Sequence, residues 1–126
     1  MSEEIPAAEK LFRNLHPDDY DNGRINSTAF SPSREHDYKL SLDRSAMVSA
    51  RQSYGMFTAR GNKSIGVCGV HKQDFAVESL PCFPDPLPDN AAHALADYNG
   101  CSGTQRRKKG KRLAKIALAN GMDYEP

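Results

Sequence analysis

Between Gly23 and Arg44 the chain reads GRINSTAFSPSREHDYKLSLDR. Arg24, Arg34 and Arg44 recur there at ten-residue intervals, among hydroxyl side chains and with His36 between them. A planar guanidinium offers a rigid fork of donors that matches carboxylate or phosphate bidentately. Arg24, Asn26, Thr28, Arg34 and His36 are therefore the expected lining of a small-ligand pocket. Alternation along a strand at 24–30 puts Asn26 and Thr28 on one face of it. The competing arrangement pairs the arginines with Asp21, Glu35, Asp37 and Asp43 on the surface.

Charge singles out a second segment. Residues 1–103 carry ten Lys/Arg against fourteen Asp/Glu, a net −4, whereas residues 104–126 carry seven against two, a net +5. The overall charge of +1 conceals that split. A basic helix is expected at 104–120, with Ser102 or Thr104 as its cap and Gly121 as its stop. Leu113, Ile116 and Ala117 give it an apolar stripe in the second half only. The first half, Arg106 to Arg112, is charged nearly all round and interrupted by Gly110, so it is expected to project into solvent or onto a partner.

Backbone N–H groups at a helix start attract anions. Cations in the first turn cost a few tenths of a kcal/mol each, which a bound polyanion offsets. Ser102, Thr104, Arg106, Arg107, Lys108, Lys109, Lys111 and Arg112 form the expected anion-binding set. The partners implied are nucleic acid, another polyanion or a protein, in a non-enzymatic accessory role with no cofactor. No aromatic residues interleave the basic ones and the Gly-Lys-Ser/Thr spacing of a Walker A loop is missing, so contact to a phosphate backbone is as far as this pattern goes.

Catalytic alternatives use scattered residues. His16, His36 and His93 beside basic side chains supply the base, acid and cation of a metal-independent ribonuclease. There is no G-x-S-x-G elbow for a serine nucleophile. Cys68 lies in the apolar run IGVCGV, where a thiol stays protonated. Cys68, Cys82 and Cys101 form no close pair, which argues against a disulfide framework and leaves no metal site in the expectation. Residue types alone leave open whether the chain is an enzyme.

The elements that must position these groups follow from periodicity and punctuation. Pro6 and the apolar edge Leu11, Phe12, Leu15 predict a short helix at 6–15, ended by His16-Pro17. HPDDYDNG is a turn. Strands are expected at 24–30 and 38–43, the second alternating Tyr38, Leu40, Leu42 against Lys39, Ser41, Asp43. Ser45 caps a helix over 46–58 that shows Ala46, Met47, Ala50, Tyr54 and Phe57 on one stripe. SIGVCGV is a buried strand, HKQDFAVESL one or two helical turns, PCFPDPLPDNA a rigid extended surface loop, and AHALADY a last strand.

The order LFR, GRINSTAFSPS and KLSLDR over residues 11–44 resembles the opening of small ADP-ribosyltransferase-type domains. That resemblance implies a split β-sheet clasping NAD and an NAD-using transferase or toxin as the alternative function. It places Arg13 on the first strand, holding a pyrophosphate, and gives Ser31 or Ser33 the hydroxyl that orients the nicotinamide ribose. Glu78 takes the place of the late catalytic acid. With His36 these are the candidate catalytic residues: Arg13, Ser31, His36 and Glu78. The same stretch is similar to small bacterial proteins with a GRxxSxAFxPS core.

At 126 residues the chain fits one domain, spanning 1–126. The class expected is α+β, a single compact domain with a small, mostly antiparallel sheet and three to four helices, the basic C-terminal one included. No apolar run approaches the roughly 18 residues a membrane helix needs, and the acidic start MSEEIPAAEK lacks a signal-peptide core. A cytoplasmic protein without membrane contact is the expectation.

Overall fold

A computed structural model describes residues 4–126. In chain order the strands are β1 (Lys10–Asn14), β2 (Tyr20–Asp21), β3 (Arg24–Ile25), β4 (Lys39–Arg44), β5 (Val67–His71), β6 (Cys82–Pro84) and β7 (His93–Asp97). The α-helices are α1 (Ala50–Ala59), α2 (Lys72–Val77) and α3 (Gly103–Asn120), and 3-10 turns occupy 17–19, 27–30 and 34–36. Five strands form one antiparallel sheet in the order β5-β1-β4-β7-β6, and β2 pairs with β3 in a separate hairpin. The chain is thus α+β, built on an antiparallel sheet with a basic helix at its end.

Strand alternation decides what each face of the sheet does. In β4, Leu40 and Leu42 point to the face that carries Leu11, Cys68, Val70, Ala94 and Ala96, and all of these are buried. Helix α3 covers that face with Leu113, Ala114 and Ala117. Its cap is a reciprocal box: the Ser102 hydroxyl accepts from the Gln105 N–H while the Gln105 side chain accepts from the Ser102 N–H. Gly110 lets the helix come close. A β-carbon there would collide with the Ser31 hydroxyl and stand 2.8 Å from the Ser27 carbonyl oxygen. The charged first half of α3 therefore does not stand off the body; it docks on the 27–30 turn through its glycine. Tyr98, fully buried, ties the same turn to the core by donating to the Phe30 carbonyl at 2.6 Å.

The opposite face follows the other residues of each strand. Register aligns Phe12 with Asp43 and Asp43 with His93, so these three project together. Helix α1 covers only part of this face, where Phe12, Ala50 and Val67 pack with Tyr54 and Tyr124.

Several local expectations are corrected. Residues 10–14 form a strand, not the end of a helix at 6–15, because β4 and β5 flank them and supply both sets of ladder bonds. The strand expected at 24–30 stops at Ile25. Asn22 and Gly23, both at positive φ, turn β2 into β3, and the chain then coils at 27–30 to bury Ala29 and Phe30. Helix α1 begins after Ser49, which forms a capping box with Gln52; Ser45 instead belongs to a turn, its N–H donating to the Lys10 carbonyl. The proline-rich stretch is not loop throughout, since Cys82–Pro84 makes the edge strand β6, where a proline lacking its N–H is tolerated. The strands at 39–44 and 93–97 and the helix at 103–120 lie where the pattern puts them.

Candidate functional site

Two depressions collect polar side chains, one on each side of the sheet. The first is a cavity of about 550 Å³ on the partly covered face. Its floor is β4 with Asn14 of β1, and its walls are the C-terminal end of α1 (Met56, Phe57, Arg60) and the segment Leu87–His93. Pro32, His36 and Lys39 close one end.

A buried hydrogen-bond network builds that floor. The Asp43 carboxylate accepts from the Ser53 hydroxyl at 2.6 Å on one oxygen and from the Asn90 amide at 2.7 Å on the other. Asn14 donates to the Ser53 oxygen at 3.2 Å and accepts from Ser64 at 2.9 Å. Five separate segments are thereby tied together, and each buried polar atom finds a partner, as burial in a low dielectric demands.

His93 lies beside this carboxylate, and its ring is 12 % exposed. Its Nδ1 meets the Asp85 carbonyl oxygen at 3.0 Å and an Asp85 carboxylate oxygen at 3.1 Å. Both partners can only accept, so Nδ1 carries a hydrogen and the lone pair of the neutral ring sits on Nε2. Arg60 reaches across to Asp89 at 3.1 Å, linking the two walls. Arg13 also lines the cavity; its Nε donates to the Ala29 carbonyl at 2.8 Å and its Nη1 to the Ser41 carbonyl at 3.2 Å. Burial holds the Arg13 guanidinium below its ordinary pKa, and Asp19 opposes that shift.

The second depression, about 570 Å³, lies between α3 and the β2–β3 hairpin. Arg24, Asn26 and Ser27 line it from one side, and Lys111, Ala114, Lys115 and Leu118 from the other. None of these lining residues is acidic. Lys108, Lys111 and Lys115 fall at i, i+3 and i+7, one stripe of the helix. Among the described residues no hydrogen bond or ion pair engages the side chains of these three lysines.

The expected small-ligand pocket is divided by the fold. Arg24 and Asn26 reach the second depression and His36 the first. Thr28 donates to Asp19 at 2.5 Å, and Arg34, in an exposed turn, lines neither. Asn26 and Thr28 are not co-facial strand residues, because the 27–30 turn begins directly after Asn26.

The basic helix is likewise sorted by its contacts. Arg106 stacks 4.1 Å over the Tyr38 ring and donates to the Cys101 carbonyl. Lys109 donates to the Glu78 carbonyl, and Arg112 grips the Glu78 carboxylate with two bonds of 2.8 and 2.6 Å. Ser102 is engaged as the cap, and Thr104 accepts from Arg107 at 3.4 Å.

Of the candidate catalytic residues, Arg13 and His36 line the first cavity while Ser31 and Glu78 do not. The Ser31 hydroxyl donates to the Ser27 and Arg106 carbonyls, clamping α3. Glu78 caps α2 and is held by Arg112. Of the three ribonuclease histidines, His36 and His93 share the cavity, but they sit towards opposite ends of β4, where Lys39 and Asp43 alone are about 13 Å apart. His16 caps the 17–19 turn instead.

Among the described residues no three His, Cys, Asp or Glu side chains converge as metal ligands. Cys68 and Cys82 are buried, and burial pushes both thiols up to about 12. No helix among the described residues is long and apolar enough to cross a membrane.

Sequence reasoning did not single out Asn14, Ser41, Asp43, Asn90 or Arg60 as site residues, nor Lys115. The available signals were the polar phase of β4 and the spacing of Lys115 four residues beyond Lys111. No protein-family model, curated protein or solved structure matches this chain.

Proposed function

We propose that the protein docks onto the phosphate backbone of a nucleic acid through the cleft between α3 and the β2–β3 hairpin. The observation that carries this reading is the convergence of Arg24, Lys111 and Lys115 on one acid-free depression, with Lys108 extending the stripe. Seven helical steps carry the chain from Lys108 to Lys115, a span of about 10 Å. That reach matches roughly three nucleotides at the 3.4 Å axial rise of a stacked strand. Cations left without carboxylate partners keep their full attraction for an external anion. The energy of contact comes largely from counterion release, which carries no sequence preference.

The internal contacts of α3 refine which cations serve. Arg106, Lys109 and Arg112 hold the helix to the body, so they are structural in this reading. The test is fluorescence anisotropy with a labelled single-stranded RNA across a salt series. Three neutralised phosphates give a log–log salt slope of about −2. Substituting Arg24, Lys111 and Lys115 together by Gln abolishes binding, whereas Arg107→Gln weakens it only slightly. Salt-independent binding, or equal binding by the triple variant, would sink the proposal. Binding to a polyanionic protein but not to RNA would replace nucleic acid as the partner.

A further inference from the structure

The cavity on the other side of the sheet takes no part in that reading. We infer that it binds a small phosphorylated compound with a planar apolar group, of the size and chemistry of a nucleoside 5′-monophosphate. Charge comes first. Lys39, Arg60, His36 and His93 line the cavity with a single carboxylate, Asp43. Arg60 is paired with Asp89, His93 with Asp85, and Arg13 turns its guanidinium to the Ala29 and Ser41 carbonyls, so Lys39 is the cation left open. Both Asp43 oxygens already accept bonds from Ser53 and Asn90, so this carboxylate is partly screened from a ligand. Lys39, with the His36 imidazole beside it, therefore selects an anion.

Position comes second. Among the described residues no hydrogen bond or ion pair engages the side chains of Lys39 and His36, and both lie at the same end of the cavity. They are the natural seat for a phosphate, Lys39 as a point charge and His36 as a donor. Apolar surface supplies the rest: Met56 and Phe57 from α1 and Leu87 opposite form walls against which a heteroaromatic ring can lie. At the far end of β4, about 13 Å from Lys39 by strand rise, His93 offers its Nε2 into the cavity, with the ring held by Asp85. A ligand with an anionic end, an apolar plane and hydrogen-bonding edges satisfies all three regions together. Inorganic phosphate alone satisfies one of them.

The experiment is isothermal titration of the full chain with adenosine 5′-monophosphate, adenosine and inorganic phosphate. The monophosphate is expected to bind at least tenfold more tightly than either fragment. Lys39→Gln and Phe57→Ala should each weaken it fivefold or more, with melting temperatures checked to show that both variants fold. Lys111→Gln, on the other side of the sheet, should leave it unchanged, while Lys39→Gln should leave RNA binding by α3 unchanged. The inference fails if the monophosphate gives no saturable heat up to millimolar concentration, or if Lys39→Gln and Phe57→Ala bind it like the parent. It fails equally if Lys111→Gln removes the binding, since the ligand would then sit in the helix cleft. Phosphate binding as tightly as the monophosphate would overturn the planar half of the assignment.

Discussion

The two faces of the same sheet are organised on opposite principles. Towards α3, every inward residue of β4 and its neighbours is apolar and close-packed, apart from Arg13 and Arg44. Arg44, 6 % exposed, is gripped by Glu9 at 3.0 and 3.1 Å. Towards the cavity, the alternate residues Lys39, Ser41 and Asp43 are polar, and the order there comes from hydrogen bonds between distant segments. One face is held by removing apolar area from water, worth about 25 cal/mol per Å². The other is held by polar atoms that each need a specific partner. A protein can spend a sheet face in this second way only where another face already supplies the core. Polar order without a core's worth of apolar burial marks the face available for binding.

Adjacent residues of β4 test that contrast most directly. Leu42→Ala removes a side chain that is 2 % exposed beneath α3, and it should cost about 2–5 kcal/mol, read as a lower urea midpoint. Ser41→Ala, one residue away and exposed to the cavity, should stay within about 0.5 kcal/mol. If the two cost the same, the faces do not differ in the way described. Asp43→Ala should fall between them. It strands the Ser53 hydroxyl and the Asn90 amide, and about 1–3 kcal/mol is the usual penalty for buried groups left unpaired. Double substitution of Asp43 and Asn90 should cost less than the sum of the single changes, because the second removes a donor the first has already orphaned. Strict additivity would show that the network is not a unit.

This division was half visible in the amino-acid order. The β4 alternation, the apolar run of β5, the caps Ser102 and Gly121, and the Asn22-Gly23 turn are local signals, and the elements they specify are where local physics puts them. Residues 6–15 misled because Leu11, Phe12 and Leu15 suit one edge of a helix as well as two faces of a strand. What decides is pairing with residues 39–44 and 67–71, which no window of ten residues contains. Gly110 misled in the same way: within the helix it looks like a weak point, yet it is the contact that lets the Ser31 hydroxyl reach the Arg106 carbonyl. The cavity was the least legible. Asn14, Ser53, Asn90 and Asp43 are single polar residues in unrelated segments, and only the register Phe12–Asp43–His93 brings them together. Of the cationic cleft, Lys108 and Lys111 were legible in the basic run, but neither Lys115 nor the placement of Arg24, which the hairpin swings towards Lys111, was legible.

The smallest expected effect concerns the tie between α3 and the end of α2, outside both depressions. The bidentate hydrogen bond from Arg112 holds the Glu78 carboxyl below its ordinary value of 4.5, against the upward push of burial. A depressed folded-state value means that the contribution to stability is fully present above the unfolded value near pH 4.5. It is then lost as pH falls through the lower folded-state value. Arg112 is half-exposed, so solvent screens the pair and its contribution at neutral pH is small. Glu78→Gln should therefore lower the urea midpoint slightly at pH 7, and the gap between variant and parent should close towards pH 3. Raising the salt concentration at pH 7 should narrow the same gap. Since Arg112 is freed in this variant beside an already basic helix, RNA binding should hold or strengthen slightly. A loss of RNA binding in Glu78→Gln would mean that the tie positions Lys111 and Lys115, and that the two ends of α3 are not independent.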